Sequence, residues 1–239
     1  NQLVAVLRTL DLALARGRYG RWLGGVEPQL EPAAEAPFRF SGLRHPLLVW
    51  QHKRADGPPV VPISVEVSPE LRVVAITGPN TGGKTVTLKS IGLAALMARA
   101  GMLLPCSGQP SLPWCAQVLA DIGDEQSLQQ SLSTFSGHVK RIGRILEALQ
   151  RGSAPALVLL DEVGAGTDPS EGTALATALL KALADRARLT IATTHFGELK
   201  ALKYDDARFE NASVAFNPET LSPTYELLWG IPGRSNALA

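Results

Sequence analysis

Apolar residues follow two rhythms along this chain. From residue 1 to about 24, Leu3, Val6, Leu7, Leu10 and Leu14 recur at helical spacing among arginines, and Gly24-Gly25 ends the pattern. The next passage, VEPQLEPAAEAP, keeps no rhythm, and its Pro and Glu content reads as a linker or an extended excursion. Residues 38 to 72 read as β-rich, with turns at DGPP (56–59) and SPE (68–70). From Val73 onward, short unbroken apolar runs alternate with helical stretches, as in a parallel sheet buried on both faces.

Val73, Val74, Ala75 and Ile76 form the first such run. The helix that follows, about 84 to 100, is apolar on most sides (Leu88, Ile91, Leu93, Leu96, Met97) and stops before Gly101, so it belongs in an interior. QVLADI (117–122) predicts a strand, followed by a polar loop to about 135. A helix from about 136 to 150 carries Val139, Ile142, Leu146 and Leu149 on one face, with Lys140, Arg141, Arg144 and Glu147 elsewhere. Strands ALVLLDE (156–162) and LTIATTH (189–195) bracket a helix with a strong start signal. Asp168 suits the N-cap, Pro169 the first helical position, and Glu171 completes the capping geometry. There is no internal repeat.

Composition narrows the picture. The chain has 239 residues, 45% hydrophobic and 19% charged, enough for one large α/β domain plus an appendage and too apolar for general disorder. Lys and Arg number 23 against 22 Asp and Glu, a net charge of +1, unlike a dedicated nucleic-acid domain. Any strong grip on DNA or RNA is therefore expected outside this segment. Cys106 and Cys115 are the only cysteines, which suggests a reduced, cytoplasmic compartment and no zinc site. No apolar run has the length of a membrane span, and no signal peptide is visible. The chain opens at Asn1 rather than Met, and a piece of a longer protein is expected.

The chemistry is concentrated at strand ends. The eight residues Gly78, Pro79, Asn80, Thr81, Gly82, Gly83, Lys84 and Thr85 fit G-x-x-x-x-G-K-[ST]. In that motif backbone N–H groups and a helix N-terminus converge on phosphate oxygens. Lys84 would set an ammonium on the β- and γ-phosphates of ATP, and the Thr85 hydroxyl would ligate Mg²⁺. Chance produces such a match in on the order of one chain in a hundred at this length. A plain glycine-rich turn would not need the flanking strand and helix.

Leu157-Val158-Leu159-Leu160 followed by Asp161-Glu162 is a Walker B pattern, delivering two carboxylates where open α/β sheets bind ligands. Asp161 would hold Mg²⁺ and Glu162 would orient and activate the attacking water. A strand ending in one ordinary solvated acid is common; two acids behind four apolar residues and downstream of a Walker lysine are not. Adjacent Asp-Glu points to the ATP-binding-cassette branch, which also places a histidine after the next strand. His195 stands there, and its strand-end position outweighs the usual structural role of a lone histidine. A membrane-transport cassette would carry LSGGQ before Walker B. Here Ser133-Thr134-Phe135-Ser136-Gly137 occupies that place, and Arg44-His45-Pro46 precedes the loop.

GPNTGGKT, STFSGH, DEVGAGTDPSEG, ATTHFGELK, ENASVAFNPETLSPTYELLWGIPGRSN and the RHPLL segment together closely resemble bacterial MutS proteins. DEVGAGTDP, in place of the DEIGRGTS typical of mismatch-repair MutS, and the closing GIPGRSN favour the second bacterial type. The resemblance covers roughly residues 37 to 239. It implies an α/β P-loop NTPase of the ATP-binding-cassette/MutS type, with a mostly parallel central sheet flanked by helices. Residues 1–36 would be the end of a lever helix and a linker, and 37–239 the ATPase domain. It further implies a homodimer with composite sites in which Ser133 acts in trans, Asn80 on the γ-phosphate and Val61-Pro62 against adenine. Members of this type are associated with branched DNA and suppression of recombination, and also with stalled or collided ribosomes. Many carry a C-terminal Smr domain proposed as a nuclease; nothing here resembles it, so a nuclease step is expected outside this chain. A rival reading is an assembly module whose hydrolysis is incidental to ribosome engagement.

Overall fold

The computed structural model describes residues 2–32, 36–55, 57–78, 82–123, 131–152, 155–217 and 222–230. In chain order they form α1 (Gln2–Leu23), β1 (Gln29–Glu31), β2 (Phe38–Leu43), α2 (Pro46–Ala55) and β3 (Ile63–Val67). Next come β4 (Val73–Thr77), α3 (Lys84–Arg99), β5 (Ser111–Pro113), β6 (Gln117–Asp121), α4 (Ser131–Arg151) and β7 (Ala156–Leu160). The remainder is α5 (Pro169–Ala184), β8 (Leu189–Thr193), a 3-10 turn (Gly197–Ala201), α6 (Leu202–Asp205), β9 (Phe209–Asn217) and β10 (Ser222–Trp229).

Six strands build the central sheet in the order β10-β9-β4-β8-β7-β6. All neighbours run parallel except β10, which returns antiparallel to β9. Strands β4, β7 and β8 are buried at every position, which accounts for their unbroken apolar runs. Side-chain alternation divides them between two cores. Leu157, Leu159, Leu189 and Ile191 pack with Leu88, Ile91 and Ala95 of α3. Val158, Leu160 and Ala192 pack with Ala176, Leu180 and Leu183 of α5 on the opposite face.

A second sheet, in the order β1-β5-β2-β3, covers the α3 side. The Pro- and Glu-rich passage takes its extended form: Gln29–Glu31 pairs parallel with β5. Arg188, 3% exposed, ties the sheets together by donating to the Leu71 and Ala36 carbonyls at 3.2 and 2.7 Å.

Three expectations need correction. Residues 46–55, read within the β-rich stretch 38–72, form helix α2; Pro46 starts it at the position where a missing N–H costs nothing. Helix α4 begins at Ser131, inside the expected polar loop. Strands β7 and β8 stop at Leu160 and Thr193, so Asp161, Glu162, Thr194 and His195 lie beyond the ladder. At the start of α5 Asp168 caps as expected, accepting from the Ser170 and Glu171 N–H groups, while the Glu171 carboxylate accepts from the Thr167 hydroxyl at 3.1 Å and not from the Asp168 N–H.

Candidate functional site

Helix α3 starts at the C-terminal end of β4 without a side-chain cap, its N-cap being Gly83 at φ 86°. Lys84 is the first helical residue, and its side chain turns back into the structure, leaving the residue 2% exposed. Its ammonium donates to the Gly78 carbonyl at 2.5 Å and lies 3.5 Å from His195 Nδ1. Burial holds the Lys84 pKa below the ordinary lysine value, while the Glu162 and Asp161 carboxylates push the other way. Gly78 adopts φ 134°, a conformation that a side chain disfavours. Thr85 is the second residue of α3, one position beyond Lys84; Gly82 is buried and Gly83 half-buried. Pro79, Asn80 and Thr81 lie outside the described residues.

The two acids emerge beside this lysine because β7 is one strand removed from β4, with β8 between them. Asp161 is 6% exposed and accepts from the Thr193 hydroxyl at 2.5 Å. Glu162 turns the chain out of the strand at φ 51°, the one non-glycine residue with positive φ among the described residues. Its carboxylate is 3.1 Å from His195 Nε2. An ammonium can only donate, so contact between Lys84 and Nδ1 requires the tautomer with its proton on Nε2, donating to Glu162. Lys84, His195 and Glu162 thus form one hydrogen-bonded chain. The turn after Glu162 needs glycine: at Gly164, φ 84°, a Cβ would meet the Gly172 carbonyl oxygen at 2.5 Å.

Sequence reasoning missed a cluster one strand further out. Asp121, at the end of β6, is 2% exposed; its carboxylate accepts from His138 Nδ1 at 2.7 Å and from Arg141 Nε, both on α4. Its backbone carbonyl accepts from the Asp161 N–H at 2.8 Å. The strand-end rule applied to QVLADI would have flagged Asp121. Ser133 falls in the first turn of α4, and its side chain lies outside the described residues. Thr193 was also passed over, since nothing in its spacing separates it from a buried strand residue.

Beside Gly83 opens a cavity of about 590 Å³, lined in part by His52, Pro58, Val61, Gly83 and Val86. Val61 contributes to its wall and Pro62 does not. His52 Nδ1 donates to the Gly57 carbonyl at 2.7 Å, bracing the loop that forms one side. His45, of the Arg44-His45-Pro46 segment, is buried in front of α2; desolvation and then the Lys89 charge lower its pKa, keeping the imidazole neutral.

Several groups at this edge of the sheet are of the kind that could hold a nucleotide and a hard cation. A buried cation and an uncapped helix N-terminus suit phosphate, and oxygen ligands at Asp161 and Thr85 suit Mg²⁺. Among the described residues no helix is long and apolar enough to cross a membrane.

Residues 74–235 match the family model of MutS domain V. The chain is 62% identical to Endonuclease MutS2 of a Synechocystis species, over 99% of this chain and 31% of that protein. It is 50% identical to Endonuclease MutS2 of Thermomicrobium roseum, over 99% of this chain and 30% of that protein. With the same-named protein of Geobacillus kaustophilus the identity is 48%, over 98% and 28%. The chain therefore spans about a third of the length of these relatives. It belongs to the MutS family, as a domain V, the family's ATPase-type domain, of the MutS2 kind.

Proposed function

We propose that this chain binds and hydrolyses ATP as a P-loop ATPase of the ATP-binding-cassette/MutS type, and that turnover opens and closes a homodimer. The observation that carries the reading is the convergence of Lys84, His195 and Glu162 from three separate segments, with Asp161 at the adjacent strand end. Residues 37–239 form the ATPase domain in this reading, and residues 1–36 join it to a lever.

Residues Gly78 to Thr85 and the start of α3 would cradle the phosphates, with Asn80 at the γ-phosphate. Lys84 would exchange the Gly78 carbonyl for phosphate oxygens. The cavity beside Gly83 would take the adenine, with Val61 against the ring and Pro62 supporting the loop. Thr85 and Asp161 would hold Mg²⁺, which when bound would supply charge neutralisation at the phosphates. Glu162 would orient the attacking water and take its proton as the new P–O bond forms at the γ-phosphorus and the bond to ADP breaks. His195 holds the Glu162 carboxylate through Nε2. The protein's contribution is positioning and electrostatics. Ser133, at the start of α4, would reach the partner's nucleotide.

Glu162→Gln is the direct test. It should leave nucleotide binding intact while turnover falls about 10²–10⁴-fold. Near-normal single-turnover hydrolysis would remove Glu162 from the mechanism. Mixing a Lys84→Ala subunit with a Ser133→Ala subunit tests the shared site. Activity returns only if one site collects both lesions, once exchange and single-site turnover are confirmed.

The relatives are named endonucleases, and we assign that step to parts of the longer protein outside this chain. The proposed client is DNA: the ATPase cycle would serve the handling of branched structures and the suppression of homologous recombination, in the cytoplasm. Stalled or collided ribosomes are the rival client. Pull-down of the longer protein with and without ATP, probed for branched DNA and for ribosomes, separates the two.

A further inference from the structure

We propose that Thr193 is a positioning residue for both acids of the site, its single hydroxyl orienting the Asp161 carboxylate and holding Glu162 in its turned-out backbone conformation. The inference rests on the ATPase reading above.

The geometry begins with side-chain alternation. Thr193 lies on the same face of β8 as Leu189 and Ile191, which pack toward α3, and Asp161 continues the corresponding row of Leu157 and Leu159 on β7. Sheet order therefore sets the Thr193 hydroxyl beside the Asp161 carboxylate on the α3 face, where Lys84 also begins. Thr193 is 0% exposed, so its hydroxyl must find protein partners.

It finds two, of opposite polarity. The hydroxyl donates to Asp161 Oδ1 at 2.5 Å, the length of a hydrogen bond to an ionised carboxylate. It accepts from the Glu162 N–H at 2.7 Å. A hydroxyl has one proton to give and lone pairs to receive, so both bonds form together and each fixes the direction of the other. The Thr193 main-chain carbonyl adds a third tie, accepting from the Val163 N–H at 3.0 Å.

Those ties fall on the residue that needs them. Glu162 occupies the left-handed region, which a residue with a Cβ keeps only where its surroundings over-determine it. Without the hydroxyl the Glu162 N–H would lose its acceptor and Asp161 its donor. Valine keeps the β-branched shape at position 193 and removes both bonds at once. Serine keeps the hydroxyl without the methyl group.

The experiment compares Thr193→Val, Thr193→Ser and Thr193→Ala in the purified protein, with thermal unfolding as the check of fold. Two readouts are taken. One is Mn²⁺ affinity in the presence of a non-hydrolysable ATP analogue, followed by electron paramagnetic resonance. The other is steady-state ATPase resolved into kcat and KM. Thr193→Val should weaken Mn²⁺ binding and lower kcat, each about 10–100-fold, the scale for residues that orient metal ligands. KM for ATP should move little, and serine should restore both readouts. Thr193→Ala repeats the valine result should a methyl group against Asp161 disturb the fold.

A folded valine or alanine variant that binds Mn²⁺ and hydrolyses ATP like wild type overturns the proposal. So does a folded serine variant as impaired as valine. Failure of the parent reading looks different. Wild type would then lack turnover, and the Mn²⁺ measurement alone would decide the role of Thr193.

Discussion

Asp121 ends β6 and Asp161 directly follows its neighbour β7; the two are almost equally buried, at 2% and 6% exposure, yet they are compensated in opposite ways. Asp121 receives a guanidinium and an imidazole from α4, so its charge is consumed inside the fold. Among the described residues the Asp161 carboxylate receives one hydroxyl and is felt by the Lys84 ammonium. A buried carboxylate needs compensation, and the kind it gets separates a clamp from a site. Asp121 pins α4 to the sheet. In the proposed reading, Asp161 would hold a cation that arrives with the nucleotide.

The sharpest way to break this contrast is Asp161→Asn. ATP turnover should fall on the order of 10²–10³-fold, the scale of single groups in preorganised electrostatic sites. Stability should not fall, because a neutral isostere replaces a buried charge held by one hydroxyl. ATPase assays and urea unfolding of the same preparation check both halves.

Asp121→Asn should behave in reverse. Nucleotide affinity should change little, while unfolding free energy drops by about 1–3 kcal/mol, less than for a fully buried pair because the Arg141 side chain is 43% exposed. Loss of turnover at unchanged stability would erase the distinction between clamp and site.

The smallest effect is in pH. In the proposed reading the nucleotide would bind the ammonium form of Lys84, whose pKa burial holds below 10.5. Affinity for a non-hydrolysable ATP analogue should therefore be full at neutral pH and decline as pH rises, starting earlier than an ordinary lysine allows. Lys84→Ala should bind more weakly and lose that decline. Fluorescence titration across the alkaline range reads it.

The residues of the site were legible one motif at a time. Lys84 closes a glycine-rich motif, Asp161, Glu162 and His195 follow buried strand runs, and those local signals suffice to single them out. The clamp was not legible in the same way. Asp121 carries a strand-end signal, but His138 and Arg141 look like solvated polar residues until α4 is laid against β6. Helix α2 was not legible either: Leu47-Leu48-Val49-Trp50 is an apolar run such as a strand carries, yet of the four only Val49 is buried, in the core on the α3 side.

Helix α1 and helix α3 draw the same line. Both are rich in apolar residues, yet Leu88 and Ile91 of α3 are buried while Leu3 and Leu7 of α1 are 70% and 56% exposed. The features written into the chain are therefore local: the G-x-x-x-x-G-K-[ST] run leading into a helix, the fully buried runs of β4, β7 and β8, and the Asp168 cap. Periodicity and capping act over a few residues and are written directly into the chain. Only the tertiary structure decided which strand ends meet. The contact between Lys84 and His195 spans 111 positions and exists because β8 lies beside β4. Such a contact follows from strand order, which is set by how the two cores on either side of the sheet bury their apolar surface together.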